Sequence, residues 1–340
     1  MPQRIFFSMD KRTILVNGYA YPFIDKGVFQ AWMPDLTLIS TFSYGLDEQG
    51  NLTLLDDREL VDIARANGVG SLMVLTAFTE EAGFDSERAS LLFNNVEIQD
   101  RYIAQILENL RQKKMRGVDF DFEYVFSEDR EKYVALVAKT AAVLNQEGYI
   151  VTVALAPKTS TEQPGLLYQG HDYYGMGQAA DLVLLMTYEW GYTYGPPMAV
   201  APINQVRRVI EYGLTQIDPG KILLGVPNYG YDWTLPFVRG VTRARKLSHR
   251  EAYQQAVEQG VPINYDPSIS APNYKYTDID GAIHEVWYED ERSLKAKFDL
   301  VNEYGLAGIS FWNIMTYHYE TDVLLNRYFN VYKDPNVIPL

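Results

Sequence analysis

The chain has 340 residues, with 44 acidic against 30 basic side chains and a formal net charge of −14, a poor match for nucleic acid or an anionic membrane surface. It has no cysteine, which excludes disulfides and thiolate chemistry, and its four histidines (His171, His249, His284, His318) lack the spacing of a zinc-binding helix, so no metal is expected. No segment reaches the roughly 18 apolar residues of a membrane span, and Met1–Asp10 lacks an apolar run of signal-peptide length.

Short apolar, β-rich runs alternate with helical patterns along the chain. The first strands are predicted near Ile14–Tyr19 and Leu36–Phe42. A helix over Asp57–Asn67 stops at Gly68, and a strand follows at Ser71–Thr76. The helix Gln99–Lys114 carries Ile103, Ile106, Leu107 and Leu110 at helical spacing and leads to a strand at Gly117–Phe122. The helix Glu128–Gln146 ends before Gly148, and strands follow at Tyr149–Leu155 and Asp181–Thr187. The helix Pro202–Gly213 opens with proline, the strand Lys221–Pro227 comes next, and the helix Ser293–Tyr304 leads to a last strand at Gly308–Phe311.

Eight strands alternating with helices predict an α/β fold. Continuous apolar runs such as Leu182–Met186 and Ile222–Val226 fit strands covered on both faces. Eight units over this length suit a (β/α)8 TIM barrel better than an open sheet, and no Gly-x-Gly-x-x-Gly loop follows an early strand. The rhythm breaks between Tyr231 and about Asp290. A helical stretch, Ser248–Glu258, stands there with strand-like pieces at Val261–Tyr265, Ala271–Thr277 and Ala282–Tyr288. A structureless loop of that length would be unusual. The expected organisation is therefore a barrel from residues 1–230 and 290–340, with a small α+β insertion at 231–289 between strand seven and its helix.

The stretch Gly117-Val118-Asp119-Phe120-Asp121-Phe122-Glu123-Tyr124 is the most unusual in the chain. With period 2, Asp119, Asp121 and Glu123 share one face of a strand and Val118, Phe120 and Phe122 share the other. Acids are poor strand residues, and neighbours on that face lie roughly 6–7 Å apart. The same alternation also describes a strand with one solvated face. The other strand ends weigh against that reading. Strand one ends in Tyr19 and Tyr21, strand six in Met186-Thr187-Tyr188-Glu189-Trp190, strand seven in Asn228-Tyr229-Gly230-Tyr231, and strand eight in Phe311-Trp312-Asn313. In a barrel all of these meet on the catalytic rim. Carboxylates among aromatic platforms suit glycoside cleavage, because sugar rings stack on aromatic faces and the glycosidic oxygen needs a proton. Glu123, last in the series, is the expected acid, its pKa raised by burial and neighbouring carboxylates, with Asp121 close enough to share the proton.

Gly117–Glu123 resembles the strand-four signature of glycoside hydrolase family 18, Asp-Gly-x-Asp-x-Asp-x-Glu. Met186-Thr187-Tyr188-Glu189 resembles its strand-six Met-x-Tyr-Asp, Trp312 its strand-eight tryptophan, and the insertion its chitinase insertion domain. The stretches Asn17–Ile24, Met186–Pro197 and Pro227–Pro236 look closest to the spore cortex-lytic, peptidoglycan-cleaving branch, whose N-terminal LysM repeats have no visible counterpart here.

The resemblance implies a retaining, substrate-assisted mechanism without cofactor, in which the substrate's 2-acetamido oxygen is the nucleophile. Glu123 would protonate the leaving oxygen, Asp121 orient the acetamide, Asp119 support Asp121, and Tyr188 bond the acetamide carbonyl. Trp312 would floor the sugar, and Tyr19, Glu189 and Tyr231 would contact substrate. It further implies a glycan as partner, a monomer, and either a spore-associated or a cytoplasmic location. Three departures stand out: Arg116 replaces the first Asp of the signature, Glu189 the strand-six Asp, and Leu75-Thr76-Ala77-Phe78 the strand-three Ser-x-Gly-Gly. A chitin-oligomer hydrolase and an inactive, lectin-like glycan binder are the alternatives. The overall acidity gives no attraction to an anionic glycan, so contacts in the groove would have to supply the affinity.

Overall fold

The computed structural model describes residues 11–79 and 83–334, so the segment Met1–Asp10, on which the signal-peptide reading rests, lies outside them. Eight parallel strands form a barrel: β1 (Arg12–Ala20), β2 (Leu38–Leu46), β3 (Gly70–Leu75), β4 (Gly117–Phe120), β5 (Ile150–Leu155), β6 (Leu182–Leu185), β7 (Ile222–Pro227) and β8 (Gly308–Trp312). Each pairs with its neighbours in sequence. The ring closes where β8 pairs with β1, from Leu15↔Gly308 to Gly18↔Phe311.

The apolar runs of β3 and β7 are buried along their whole length because both faces are covered. Val74, Ala154, Leu184 and Leu223 fill the barrel interior together with Tyr19, Met186 and Tyr188. Val118, Phe120 and Phe122 face the other way, into the layer between barrel and helices. There Phe122 and Tyr133 pack on Phe93, with ring centroids 5.5 Å and 5.0 Å away. Full burial of each phenylalanine contributes about 2–3 kcal/mol, which fixes the register that turns the acids inward. At the base of β4 a Cβ on Gly117 would lie 2.0 Å from the Ile150 carbonyl oxygen, so only glycine allows β5 to approach there.

β4 is shorter than the predicted Gly117–Phe122: regular pairing ends at Phe120, and Asp121 and Glu123 lie on the segment beyond it. The alternation persists past the ladder, so sequence pattern alone overruns the strand. Helices at Lys26–Trp32, Ser86–Asn94, Tyr173–Ala179 and Tyr319–Tyr328 were not anticipated.

After β7 the chain enters a second, antiparallel sheet. Its five strands lie in the order Arg245–Ser248, Tyr229–Leu235, Ile283–Trp287, Ala271–Thr277, Asn264–Asp266. The first of these in sequence opens at Tyr229, one residue after β7, with only Pro227-Asn228 marking the change of sheet. The helix His249–Glu258 is fixed by a capping box between Ser248 and Glu251. The chain returns to the barrel through the helix Glu291–Glu303.

Candidate active site

Asp119 is the innermost acid, 2 % exposed. It accepts hydrogen bonds from the Tyr19 hydroxyl at 2.5 Å, Ser40 Oγ at 3.2 Å and Thr152 Oγ1 at 2.6 Å. These donors come from β1, β2 and β5, so the carboxylate ties the barrel interior together. Asn17 extends the network, its Nδ2 donating to Ser40 Oγ and Ser310 Oγ. Burial pushes the Asp119 pKa up, and the three hydroxyl donors oppose that.

Asp121 is also buried, and its backbone N–H donates to the Leu75 carbonyl at 2.9 Å. Its Oδ1 has no hydrogen-bond partner among the described residues. Burial, then the charges of Glu123 and Asp119, hold this carboxyl well above the usual range. Between the two acids the Phe122 carbonyl accepts from His171 Nε2 at 3.0 Å, while His171 Nδ1 accepts the Ala156 N–H at 2.8 Å. That pair of bonds selects the neutral tautomer protonated at Nε2, and burial lowers the pKa of this histidine to about 4. Past Glu123 the chain turns sharply, with Tyr124 at φ 54°. Glu123 is pushed up to about 7 by burial and then by the charge of Glu189. The Asp121 and Glu123 carboxyls are thus both shifted upward, and the charge of Glu123 is one of the causes at Asp121.

Beyond β6, Tyr188 is 8 % exposed and lies in the field of Asp121 and Glu123. Glu189 follows at φ 65°. Its carboxylate accepts from the Tyr231 hydroxyl at 3.0 and 3.1 Å and from the Tyr229 hydroxyl. Lys246 Nζ lies 3.8 Å from the centre of the Tyr229 ring. Burial raises the Glu189 pKa, and its tyrosine donors and Lys246 pull it back.

These groups open into a cavity of about 320 Å³ lined by Tyr19, Tyr21, Phe42, Phe78, Phe84, Tyr168, Trp190 and Trp312 beside the acids. Edge-to-face contacts with Tyr19 and Phe42, both at 5.3 Å, fix the indole of Trp312. Six of the eight expected site residues line the cavity: Tyr19, Asp121, Glu123, Tyr188, Glu189 and Trp312. Asp119 lies beneath it. Tyr231 is not at its wall but braces Glu189, since it belongs to the second sheet and reaches the site only through that carboxylate.

Phe78, Phe84 and Tyr168 were not anticipated, because they lie outside the eight barrel strands, where no periodicity marks a residue as inward. His171 was read only as one of four scattered histidines. Arg116, in place of the signature's first acid, lies at the opposite end of β4, where it pairs with Asp334 at 2.5 Å and donates to the Gly148 carbonyl.

The family model for glycosyl hydrolases family 18 matches residues 44–316. The cortical fragment-lytic enzyme of Bacillus subtilis (strain 168) is 40% identical over 329 residues, which is 95% of this chain and 76% of that protein. The crystal structure of the Bacillus cereus spore cortex-lytic enzyme SleL superposes with a TM-score of 0.92 at 36% identity, covering 95% of this chain and 76% of that one. The Bacillus megaterium QM B1551 SleL structure gives a TM-score of 0.92 at 35% identity, over 96% and 76%. The chain belongs to glycosyl hydrolases family 18.

Proposed function

We propose that this glycosidase cleaves β-1,4 bonds of spore cortex peptidoglycan as a retaining, substrate-assisted N-acetylglucosaminidase. One observation carries the mechanism: Asp121 lines the cavity with Glu123, whose pKa is raised to about 7, and the buried Asp121 Oδ1 lacks any partner among the described residues. An acetamide N–H is the donor that such an oxygen accepts. Oriented in this way, the acetamide carbonyl oxygen attacks the anomeric carbon as Glu123 gives its proton to the departing glycosidic oxygen. The positive oxazolinium ring forms against Asp121, and Tyr188 bonds its oxygen. Glu123, now a carboxylate, takes a proton from water as that water attacks the same carbon, which restores the acetamide with net retention.

Asp119, pinned by three hydroxyls, keeps Asp121 in place and adds to its negative field. Trp312 floors the sugar, Tyr19 and Glu189 contact it, and Tyr231 acts through Glu189. The choice of cortex glycan rests on likeness to the cortex-lytic relatives, and it carries with it a spore-associated site of action. Cortex fragments incubated with the protein should release reducing-end N-acetylglucosamine with retained anomeric configuration. Equal release by wild type and Glu123→Gln would refute the mechanism. Faster turnover of chitooligosaccharides than of cortex fragments would reassign the substrate to chitin oligomers.

A further inference from the structure

The chain carries a net charge of −14, yet from Trp233 to Arg250 it contains no acidic residue, while Arg239, Arg243, Arg245 and Lys246 fall within eight positions. All four are exposed. The strip is anchored beside the catalytic cavity by several independent contacts. The Ala244 N–H donates to the Thr193 carbonyl at 2.8 Å, and the Trp233 indole N–H donates to the Gly195 carbonyl at 2.8 Å. The segment so held, 193–195, begins three residues after the cavity-lining Trp190. Phe237 packs against the buried cluster that runs from Tyr19 and Met186 to Tyr231, Trp233 and Ala244.

The cations of the strip are not equivalent. Arg245 pairs with Asp232 at 3.6 Å, and Lys246 lies in the field of Glu189. Arg243 stacks over Tyr194, 5.5 Å from its centre, and neither Arg239 nor Arg243 has a carboxylate partner among the described residues. Two guanidinium groups therefore stand open on a segment bonded to the 193–195 loop, near a cavity whose lining carboxylates are Asp121, Glu123 and Glu189 and whose lining, among the described residues, holds no basic residue.

Resting on the function proposed above, we propose that the Arg239/Arg243 strip binds carboxylates borne on the glycan, so that the enzyme prefers acid-substituted amino-sugar chains to neutral ones. A guanidinium fork matches a carboxylate in two parallel hydrogen bonds. Without the strip, a substrate bearing lactyl or peptide carboxylates meets only repulsion from the cavity acids and the acidic surface. A neutral chitin-type chain offers either arginine only uncharged hydroxyl and amide oxygens, with no carboxylate for a charge-assisted bidentate pair. The strip thus supplies the electrostatic attraction that overall composition denies.

The test compares a muropeptide with free carboxylates, the same muropeptide with its carboxylates amidated, and a neutral chitooligosaccharide. Binding is measured by calorimetry on Glu123→Gln protein with and without Arg239→Gln/Arg243→Gln, at low and at raised salt. Turnover is measured separately on the active protein. With the strip intact, amidation should weaken binding about tenfold at low salt and by less at raised salt, as for rim charges. The double substitution should weaken binding of the acidic form about tenfold, remove the effect of amidation and leave the neutral oligomer unchanged. An undiminished preference for the acidic form in the double variant overturns the proposal, as does an equal loss on all three ligands. Because binding is read without hydrolysis, absence of turnover on any glycan would defeat the proposed function while the binding comparison still decides the role of the strip.

Discussion

Replacing Glu189 by Gln isolates the charge that acts on Glu123, the proposed catalytic acid. Glu123 is held at about 7 against an ordinary 4.5, by burial first and the charge of Glu189 second. That gap is about 2.5, and the second cause accounts for less than half of it, so loss of the charge should lower the Glu123 pKa by about 1. Glutamine is close in size and still offers an oxygen to Tyr229 and Tyr231, so the wall of the cavity should survive. The other groups facing Glu123 (Asp121, Tyr124, Tyr133 and Tyr188) stay in place. A general acid must be protonated to act, so the alkaline limb of kcat/KM, which reports the free enzyme, should move from about pH 7 to about pH 6. The assay is kcat/KM on a soluble oligosaccharide between about pH 4 and 9. An alkaline limb that stays put or moves upward would refute the assignment of Glu189 as the charge that raises Glu123, or of Glu123 as the acid.

Three further outcomes are expected. Tyr188→Phe should lower kcat by roughly 10²–10³-fold with little change in KM, because it removes one donor to the developing oxazoline oxygen; a pure KM effect would argue for simple substrate contact. Lys297 Nζ bonds Glu289 Oε2 at 2.7 Å with both side chains 0% and 1% exposed. Lys297→Met should therefore cost about 3–5 kcal/mol in denaturant unfolding, whereas Glu289→Leu/Lys297→Met should recover much of that loss. His171 titrates near 4 when folded against 6.5 when unfolded. A histidine depressed by folding is fully compatible with the native state above its unfolded value, and it opposes folding as pH falls through 6.5 toward 4. At pH 5 this costs about 2 kcal/mol. His318 is also lowered to about 4, so the test is the difference in pH dependence between wild type and His171→Gln, which should lack the His171 share.

The fold and the chemically decisive strand were legible in the sequence because both rest on local periodicity. Period 2 along Gly117–Glu123 placed three acids on one face, and the phenylalanines opposite required that face to point inward once helices covered the barrel. The strand-end residues Tyr19, Tyr188 and Trp312 followed from the same logic, since a parallel barrel gathers its strand ends on one rim. The pattern overran the true end of β4, because alternation continues where hydrogen-bonded pairing stops.

Only the tertiary structure decided the environment of each acid. The sequence places Asp119, Asp121 and Glu123 at equal intervals. Their different states arise from groups distant along the chain: Tyr19, Ser40 and Thr152 bonded to Asp119, none of the described residues bonded to Asp121 Oδ1, and the charge of Glu189 on Glu123. Long-range contact likewise turned Tyr231 from a wall residue into a brace, drew Phe84 and Tyr168 into the cavity, and bonded the basic segment 239–246 to the loop at Thr193. Periodicity reports which face a side chain takes. Hydrogen bonding, desolvation and charge depend on what the fold brings against that face, and those neighbours carry no mark in the local sequence.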